Sequence, residues 1–328
     1  MESTVFQATP NDHGRRLDRI LRKLFKNESL SFIYKSLREK KILVNSKPAV
    51  PDYRCQSGDI IEVFLPLNAS LPAPSHQAEV QQKEAAEMLK SMILLDTADL
   101  LILNKPRGML AHNGKDSLDA LVQAFYQSSH PEKSLAFTPG PLHRLDRNTS
   151  GIITFSRSIE GARQFSAGMR EGKLKKTYLA ILDGSLSEPE SWTDPLVRNE
   201  NQKTTLRAEP LSNNLLKSAR TDVRPLACHE GFTFTAIRLF SGRTHQIRAH
   251  SSIHGYPLSG DRKYGSRTDL QYYFLHAWML DLSLLELPML PEQIQAPVPP
   301  EFLFFLSKRL CLSEKEVYSL LQDYTKNF

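Results

Sequence analysis

Two polar runs carry the side chains with the most to offer chemically. The first, Pro141-Leu-His-Arg-Leu-Asp-Arg-Asn-Thr-Ser-Gly151, sets a single carboxylate, Asp146, between Arg144 and Arg147. It lies between a Pro/Gly turn and an apolar stretch (Ile152, Ile153, Phe155) that reads as a strand. Asp146 is therefore expected on a loop held by rigid structure, where reactive groups tend to sit, with both arginines keeping it ionised. Taken alone, such a run more often makes a structural ion pair than a nucleophile. The second run, Gly242-Arg-Thr-His-Gln-Ile-Arg-Ala-His250, follows a strand ending near Phe240 and is expected to open a helix. Its Arg248 can supply a buried guanidinium, the preferred partner for a carboxylate held in fixed geometry. His245, His250 and His254 invite a zinc reading, but their spacing matches no ligand pattern and no acid fills the HExxH place. No metal site is expected.

Charge separates a second functional region from the first. Residues 13 to 66 hold twelve Lys and Arg against six Asp and Glu, so the whole net excess of +6 sits in this segment. A concentrated positive field recruits polyanions through phosphate contacts and counterion release. The alternative, a solvated charged helix face, is left open by charge alone. Cys55, Cys228 and Cys311 form neither a disulfide framework nor a metal knuckle and are expected as small, partly buried apolar residues. No apolar run is long enough to span a bilayer, and Met1 to Asp12 lacks the apolar centre of a signal peptide, so a cytoplasmic protein is expected.

The elements that must position these groups can be read from periodicity. Leu17, Ile20, Leu21 and Leu24 recur at helical spacing, surrounded by Arg15, Arg16, Arg19, Arg22 and Lys23. A second helix is expected from an N-cap at Ser31 through Ile33 and Leu37 to Lys41, then strands at Ile42 to Val44 and Ile60 to Leu65. The stretch from Pro66 to about Met88 is rich in Pro, Ala, Ser and Gln and reads as a linker. Beyond it the expected elements are a strand at Leu100 to Asn104, a helix carrying Leu118, Leu121, Val122 and Phe125, a strand at Gly151 to Ser156, a helix from Ser158 to Arg170, and strands at Thr177 to Leu182 and Phe232 to Phe240. A terminal helix follows Pro297, Pro299 and Pro300. This irregular interleaving predicts an α+β fold with a mixed, mostly antiparallel sheet. The expected organisation is a small basic module at 13 to 66, a linker at 67 to 90, a main domain at 91 to 310 and a C-terminal helix or tail at 311 to 328.

His143-Arg-Leu-Asp-Arg-Asn-Thr-Ser-Gly151 resembles the central signature of the RluA-type pseudouridine synthases, whose aspartate corresponds to Asp146. Four further blocks follow that family's order: Asn104-Lys-Pro-Arg-Gly108 with His112; Lys176-Thr-Tyr-Leu-Ala180; Gly242 to His250 leading to Gly260-Asp261 and Tyr264-Gly265; and Leu275-His-Ala277. Together they cover most of residues 95 to 280. The N-terminal unit, from Gly14-Arg-Arg-Leu-Asp18 to Gly58-Asp59, is similar to an RNA-binding module of a ribosomal small-subunit protein, here called S-four-like. One departure is Asn148, where the signature more commonly has aspartate.

The resemblance implies isomerisation of uridine to pseudouridine in structured RNA without a cofactor. The ribose-to-nitrogen bond breaks, the base turns, and it rejoins through a ring carbon. A single carboxylate suffices, attacking the sugar or removing a sugar proton, and both routes stay open here. Carried over by position, Asp146 is the catalytic group, Arg248 its salt-bridge partner, Tyr178 the ring stacked on the target base, and Arg144 the side chain filling the gap left by the extruded uridine. A strand tyrosine packed in the core is the competing account of Tyr178, and Lys105 and Pro106 are expected to be structural. Arg15, Arg16, Arg19, Tyr34, Arg38, Lys40 and Lys41 are expected to dock RNA away from the active site. Large-subunit ribosomal RNA is the implied substrate, with transfer RNA, or a non-catalytic role in ribosome assembly, as alternatives. A hydrolase is a third reading, disfavoured because glycosidases normally use two carboxylates. A monomer without an obligate protein partner is expected.

Overall fold

The computed structural model describes residues 3–25, 28–64, 84, 86–114, 116–129, 134–199, 204–207, 218–287 and 289–326. The basic module comprises β1 (Thr4–Gln7), α1 (Leu17–Leu24), α2 (Leu30–Arg38), β2 (Ile42–Val44), β3 (Lys47–Pro48) and β4 (Ile60–Val63). The four strands form one sheet in the order β1-β4-β2-β3. Leu17, Ile20 and Leu21 of α1 meet Ile33 and Leu37 of α2 over Ile42, Val44, Ile61 and Val63. Each such side chain contributes roughly 1.5 to 3 kcal/mol of burial.

Several boundaries differ from expectation. Ser29, not Ser31, caps α2 by accepting from the Phe32 amide at 3.2 Å. The helix stops at Arg38 because the chain turns left-handed at Lys40 (φ 57) to enter β2. The strand read as Ile60 to Leu65 ends at Val63, and Leu65 lies outside the described residues. The extra strand β1 pairs along β4 from Thr4↔Val63 to Gln7↔Ile60, so the module's sheet begins before residue 13. Its alternation is short and half exposed, which left no pattern to read. Only Cys55 is buried; Cys228 and Cys311 are exposed, a correction to the partly buried expectation.

The larger sheet is built from β5 (Ile93–Asp96), β6 (Leu100–Lys105), β7 (Ser150–Ser156), β8 (Lys175–Asp183), β9 (Glu190–Trp192), β12 (Thr221–His229), β13 (Phe232–Leu239), β14 (Leu275–Asp281) and β15 (Gln293–Gln295). A separate ribbon pairs β10 (Leu196–Asn199) with β11 (Thr204–Arg207). The helices around them are α3 (Leu118–Ser129), α4 (Ile159–Arg170), α5 (Gln246–Ile253), α6 (Pro300–Arg309) and α7 (Glu314–Lys326). The sheet runs β5-β6-β7-β14-β8-β13-β12-β9, with β15 beside β14, and only the β7–β14 pair is parallel. The fold is α+β with a mostly antiparallel sheet.

Alternation along β8 divides two cores. Tyr178, Ala180 and Leu182 join one core, while Leu179 and Ile181 join the other with Phe302, Leu306, Val317 and Leu321 from α6 and α7. Both faces of the central strands are covered, so β8 reads as a continuous apolar run. Two terminal helices therefore close the back of the sheet, where the sequence suggested one. Residues 86–92, at the end of the stretch read as linker, are helical, and Leu89 and Met92 are buried in the first core.

The two parts are docked through one buried carboxylate. Asp12, 0% exposed, accepts from the amides of Leu135 (3.0 Å) and Ala136 (2.9 Å) and the Ser134 hydroxyl (2.7 Å). The same carboxylate accepts from the Thr9 amide and hydroxyl at 3.0 and 2.8 Å. Asn11 accepts from the Ile159 amide at 3.1 Å, and Lys23 donates to Thr138 at 2.9 Å. Ala136 completes the module's own core.

Candidate active site

Asp146 sits on the loop between the Pro141 turn and β7. That loop is clamped from below by Lys105, a fully buried side chain at the end of β6. Its ammonium donates to the carbonyls of Pro106, Met109 and Arg147 at 3.0, 2.9 and 3.1 Å. Burial pushes the Lys105 pKa down to about 8, against the opposing pull of Asp146. Three carbonyl partners make it a structural cation that ties the 106–109 turn to the aspartate loop. The Arg147 guanidinium donates to the Gly108 carbonyl at 2.8 Å, so it braces the same turn instead of neutralising its neighbour. Arg144 is exposed on the cleft wall. The charge balance at Asp146 therefore comes from elsewhere in the chain, a correction to the reading from adjacent arginines.

That charge comes from Arg248 on α5, which is 7% exposed. Its Nη1 donates to Asp146 Oδ2 at 3.1 Å, while Nε and Nη2 donate to the two oxygens of Asp261 at 2.6 and 2.9 Å. The guanidinium is stacked between Tyr264 (4.7 Å) and Tyr273 (4.5 Å). Burial alone lowers its pKa, but the Asp261 hydrogen bonds, Tyr273 and both carboxylates outweigh this and raise it. Asp261 fixes the fork and Asp146 receives its free arm, a geometry that lysine cannot reproduce.

Two more side chains approach the same oxygen. Tyr273 donates to Asp146 Oδ2 at 3.5 Å, and His245 Nε2 lies 3.6 Å from it. Asp146 Oδ1 has no hydrogen-bond partner among the described residues. The site is thus asymmetric, with one oxygen held and the other available.

Asp146, Arg144, Tyr178 and Arg248 all line one cleft of about 390 Å³, together with Lys176, His245 and Leu275. The volume falls in the range of sites for small organic ligands. Tyr178 is 6% exposed and belongs both to the core and to the cleft wall, so the packing and stacking accounts describe one position. Burial, followed by Asp146, pushes its phenol pKa up and keeps the ring neutral. Lys176 is pushed down to about 8 by burial.

The family model described as RNA pseudouridylate synthase matches residues 99–252, and the S4 domain model matches residues 15–61. The chain is 30% identical over 273 residues to the ribosomal large subunit pseudouridine synthase C of Vibrio parahaemolyticus, covering 80% of this chain and 83% of that protein. The Salmonella typhi protein of the same name is 30% identical over 316 residues, 87% of this chain and 92% of that one. The chain belongs to the RNA pseudouridylate synthase family. It is an isomerase with an RNA partner. Human RNA Pseudouridylate Synthase Domain Containing 4 shares the fold, with TM-score 0.58 and 22% identity over 70% of this chain and 97% of that chain. Human RNA Pseudouridylate Synthase Domain Containing 1 gives TM-score 0.54 and 21% identity over 70% of this chain and 93% of that chain. No helix among the described residues is long and apolar enough to cross a membrane.

Some of the synthase's site residues carried no isolated sequence signal. Asp261 lies thirteen positions after Arg248 and Tyr273 a further twelve, spacings with no helical or strand period. The three histidines of the second run part company: His245 meets Tyr264 at 2.9 Å, His250 meets Thr221 and the Asp194 carbonyl, and His254 meets the Asp194 carboxylate at 2.6 Å. In the basic module Arg19, Arg38, Lys40 and Lys41 are exposed. Tyr34 is exposed and donates to Asp18 at 3.2 Å. Arg16 pairs with Asp18, and Arg15 donates to the Ala136 carbonyl at 3.3 Å, so both are partly engaged within the protein.

Proposed function

We propose that this synthase isomerises uridines of large-subunit ribosomal RNA, with Asp146 as the catalytic residue. The observation that carries the assignment is the convergence of Arg248, Tyr273 and His245 on one oxygen of Asp146, inside a cleft shared with Tyr178. A carboxylate held through Oδ2 by a buried guanidinium keeps a fixed orientation, leaving Oδ1 to act on the ribose. Tyr178 supplies a neutral ring for the uracil to stack against. Arg144, exposed on the wall, takes the place of the uridine once it has left the RNA stack. The ribosomal target rests on the names of the relatives that align along most of their length.

Arg19, Arg38, Lys40 and Lys41 offer phosphate contacts on the docked basic module, with Tyr34 beside them. The synthase works as a cytoplasmic monomer, for which sedimentation at working concentration is the check.

Asp146→Asn keeps the shape and removes the charge. Its expected result is loss of pseudouridine formation with RNA affinity within a few-fold of the parent; product formed by the variant would remove Asp146 from its role. Mapping pseudouridines in cellular RNA with and without this gene tests the target. Sites lost only from transfer RNA would replace the ribosomal assignment, and release of free uracil in vitro would point to hydrolysis.

A further inference from the structure

His245 occupies a position that the role of Asp146 alone does not explain. It is the N-cap of α5 and adopts the left-handed conformation (φ 53, ψ 26). The surrounding turn is clamped by Gln246, whose Oε1 accepts from the Arg243 amide at 3.0 Å and the Ser241 hydroxyl at 2.9 Å. Its Nε2 donates to the Arg220 carbonyl and to Thr221, both at 2.9 Å. The imidazole is therefore carried on a fixed backbone, with Nδ1 toward Tyr264 and Nε2 toward Asp146.

The proton on this ring can be placed by following donors. The Thr205 amide on β11 donates to the Tyr264 hydroxyl at 2.8 Å. Tyr264 is 6% exposed, so its own proton needs a buried acceptor, and His245 Nδ1 stands at 2.9 Å. A phenol donating to Nδ1 leaves the proton of a neutral imidazole on Nε2. Burial favours the neutral ring, and Arg248, Arg198 and Lys263 act in the same direction against Asp146. The hydrogen-bonded chain thus runs from Thr205 through Tyr264 to His245, whose Nε2 faces Asp146 Oδ2.

We propose that His245 is a positioning residue, locked by Tyr264 as the Nε2–H tautomer, which steers Asp146 through Oδ2 so that Oδ1 is the oxygen presented to the ribose. The inference rests on the reading of Asp146 as the catalytic residue and adds to it how the carboxylate is aimed. At 3.6 Å the His245–Asp146 contact is longer than a formed hydrogen bond, so the proposed role requires it to shorten when RNA fills the cleft.

The test has one arm that does not depend on turnover. In the full chain labelled with ¹⁵N-histidine, the His245 ring is assigned by its absence from His245→Gln. Its expected spectrum at neutral pH is a protonated Nε2 and a bare, accepting Nδ1, with Tyr264→Phe raising the Nδ1–H population. A wild-type ring found as Nδ1–H or as imidazolium overturns the proposal while leaving Asp146 in place. The second arm separates single-turnover rate from RNA affinity. His245→Met removes the donor and should slow the rate about tenfold with affinity unchanged within about twofold. His245→Gln returns an N–H near the Nε2 position and should recover most of the loss. Equal rates for the Met and Gln variants, or a loss confined to affinity, would overturn it. Turnover surviving in Asp146→Asn would instead remove the reading beneath it.

Discussion

Arg248 and Asp146 differ in what they hold in place. Asp146 keeps 29% of its side chain exposed, whereas the Asp261 side chain at the other end of the guanidinium is 2% exposed. Removing Arg248 therefore strands a buried charge, and Arg248→Met is expected to lower the unfolding free energy in urea by about 3 to 5 kcal/mol. Asp146→Asn should stay within about 1 kcal/mol of the parent in the same measurement, because the amide keeps the shape of a side chain that is still partly exposed. Equal losses from both substitutions would mean that the aspartate, too, is chiefly a structural group.

The loop bearing Asp146 depends on how β7 meets β14. Gly151 has φ +102, and a Cβ there would stand 2.2 Å from the Ala277 carbonyl oxygen of the parallel partner strand. Gly151→Ala must open that pair or move the loop, so a loss of about 2 to 4 kcal/mol is expected, with pseudouridine formation falling further than stability alone explains. The neighbouring pair supplies a pH signature. His276, 0% exposed, lies 2.9 Å from Ser150 through Nδ1, and burial pushes its pKa down to about 3. The unfolded chain takes up that proton near pH 6.5 and the folded chain does not. Stability is full above that pH and falls on acidification toward pH 3, by up to about 1.4 kcal/mol per pH unit from this one group. His276→Asn should flatten the acid limb of urea unfolding by that slope; an unchanged limb would show that the ring charges within the fold.

At the scale of the whole molecule, Asp12 decides where the basic module stands. Five protein donors meet its carboxylate, so Asp12→Ala leaves Ser134 and Leu135 without their acceptor at a buried junction, and Ala136 with only its weaker bond to Ser134. A larger radius of gyration in solution scattering is expected for this variant, along with weaker discrimination among structured RNAs; an unchanged radius would show that the contacts at Ala136, Asn11 and Lys23 dock the parts without Asp12. Deleting residues 1 to 66 would expose the same junction, so surface substitution isolates the charge better. Replacing Arg19, Arg38 and Lys41 by Gln should reduce the slope of log affinity against log salt by roughly 0.7 for each phosphate no longer neutralised, about 2 in all, with little change in single-turnover rate once RNA is saturating. A slope that does not move would place the phosphate-binding groups elsewhere.

Local pattern was enough to determine much of this. The stripe of Leu17, Ile20 and Leu21, the apolar run after Gly151 and the alternation through Phe232 to Phe240 specify their own elements, because burial of one face acts over a few residues at a time. The two polar runs likewise announced Asp146 and Arg248, which the tertiary structure brings to 3.1 Å across 102 positions of chain. The partners of those residues were decided only by packing. Arg147 turned away to Gly108, while Asp261 and Tyr273 from two later places in the sequence, and His245 from the second run itself, closed around the guanidinium and the carboxylate. The docking of the basic module through Asp12 is of the same kind. Hydrogen bonds between distant segments depend on where sheets and helices finally stand, and side-chain spacing along one strand or helix carries no record of it.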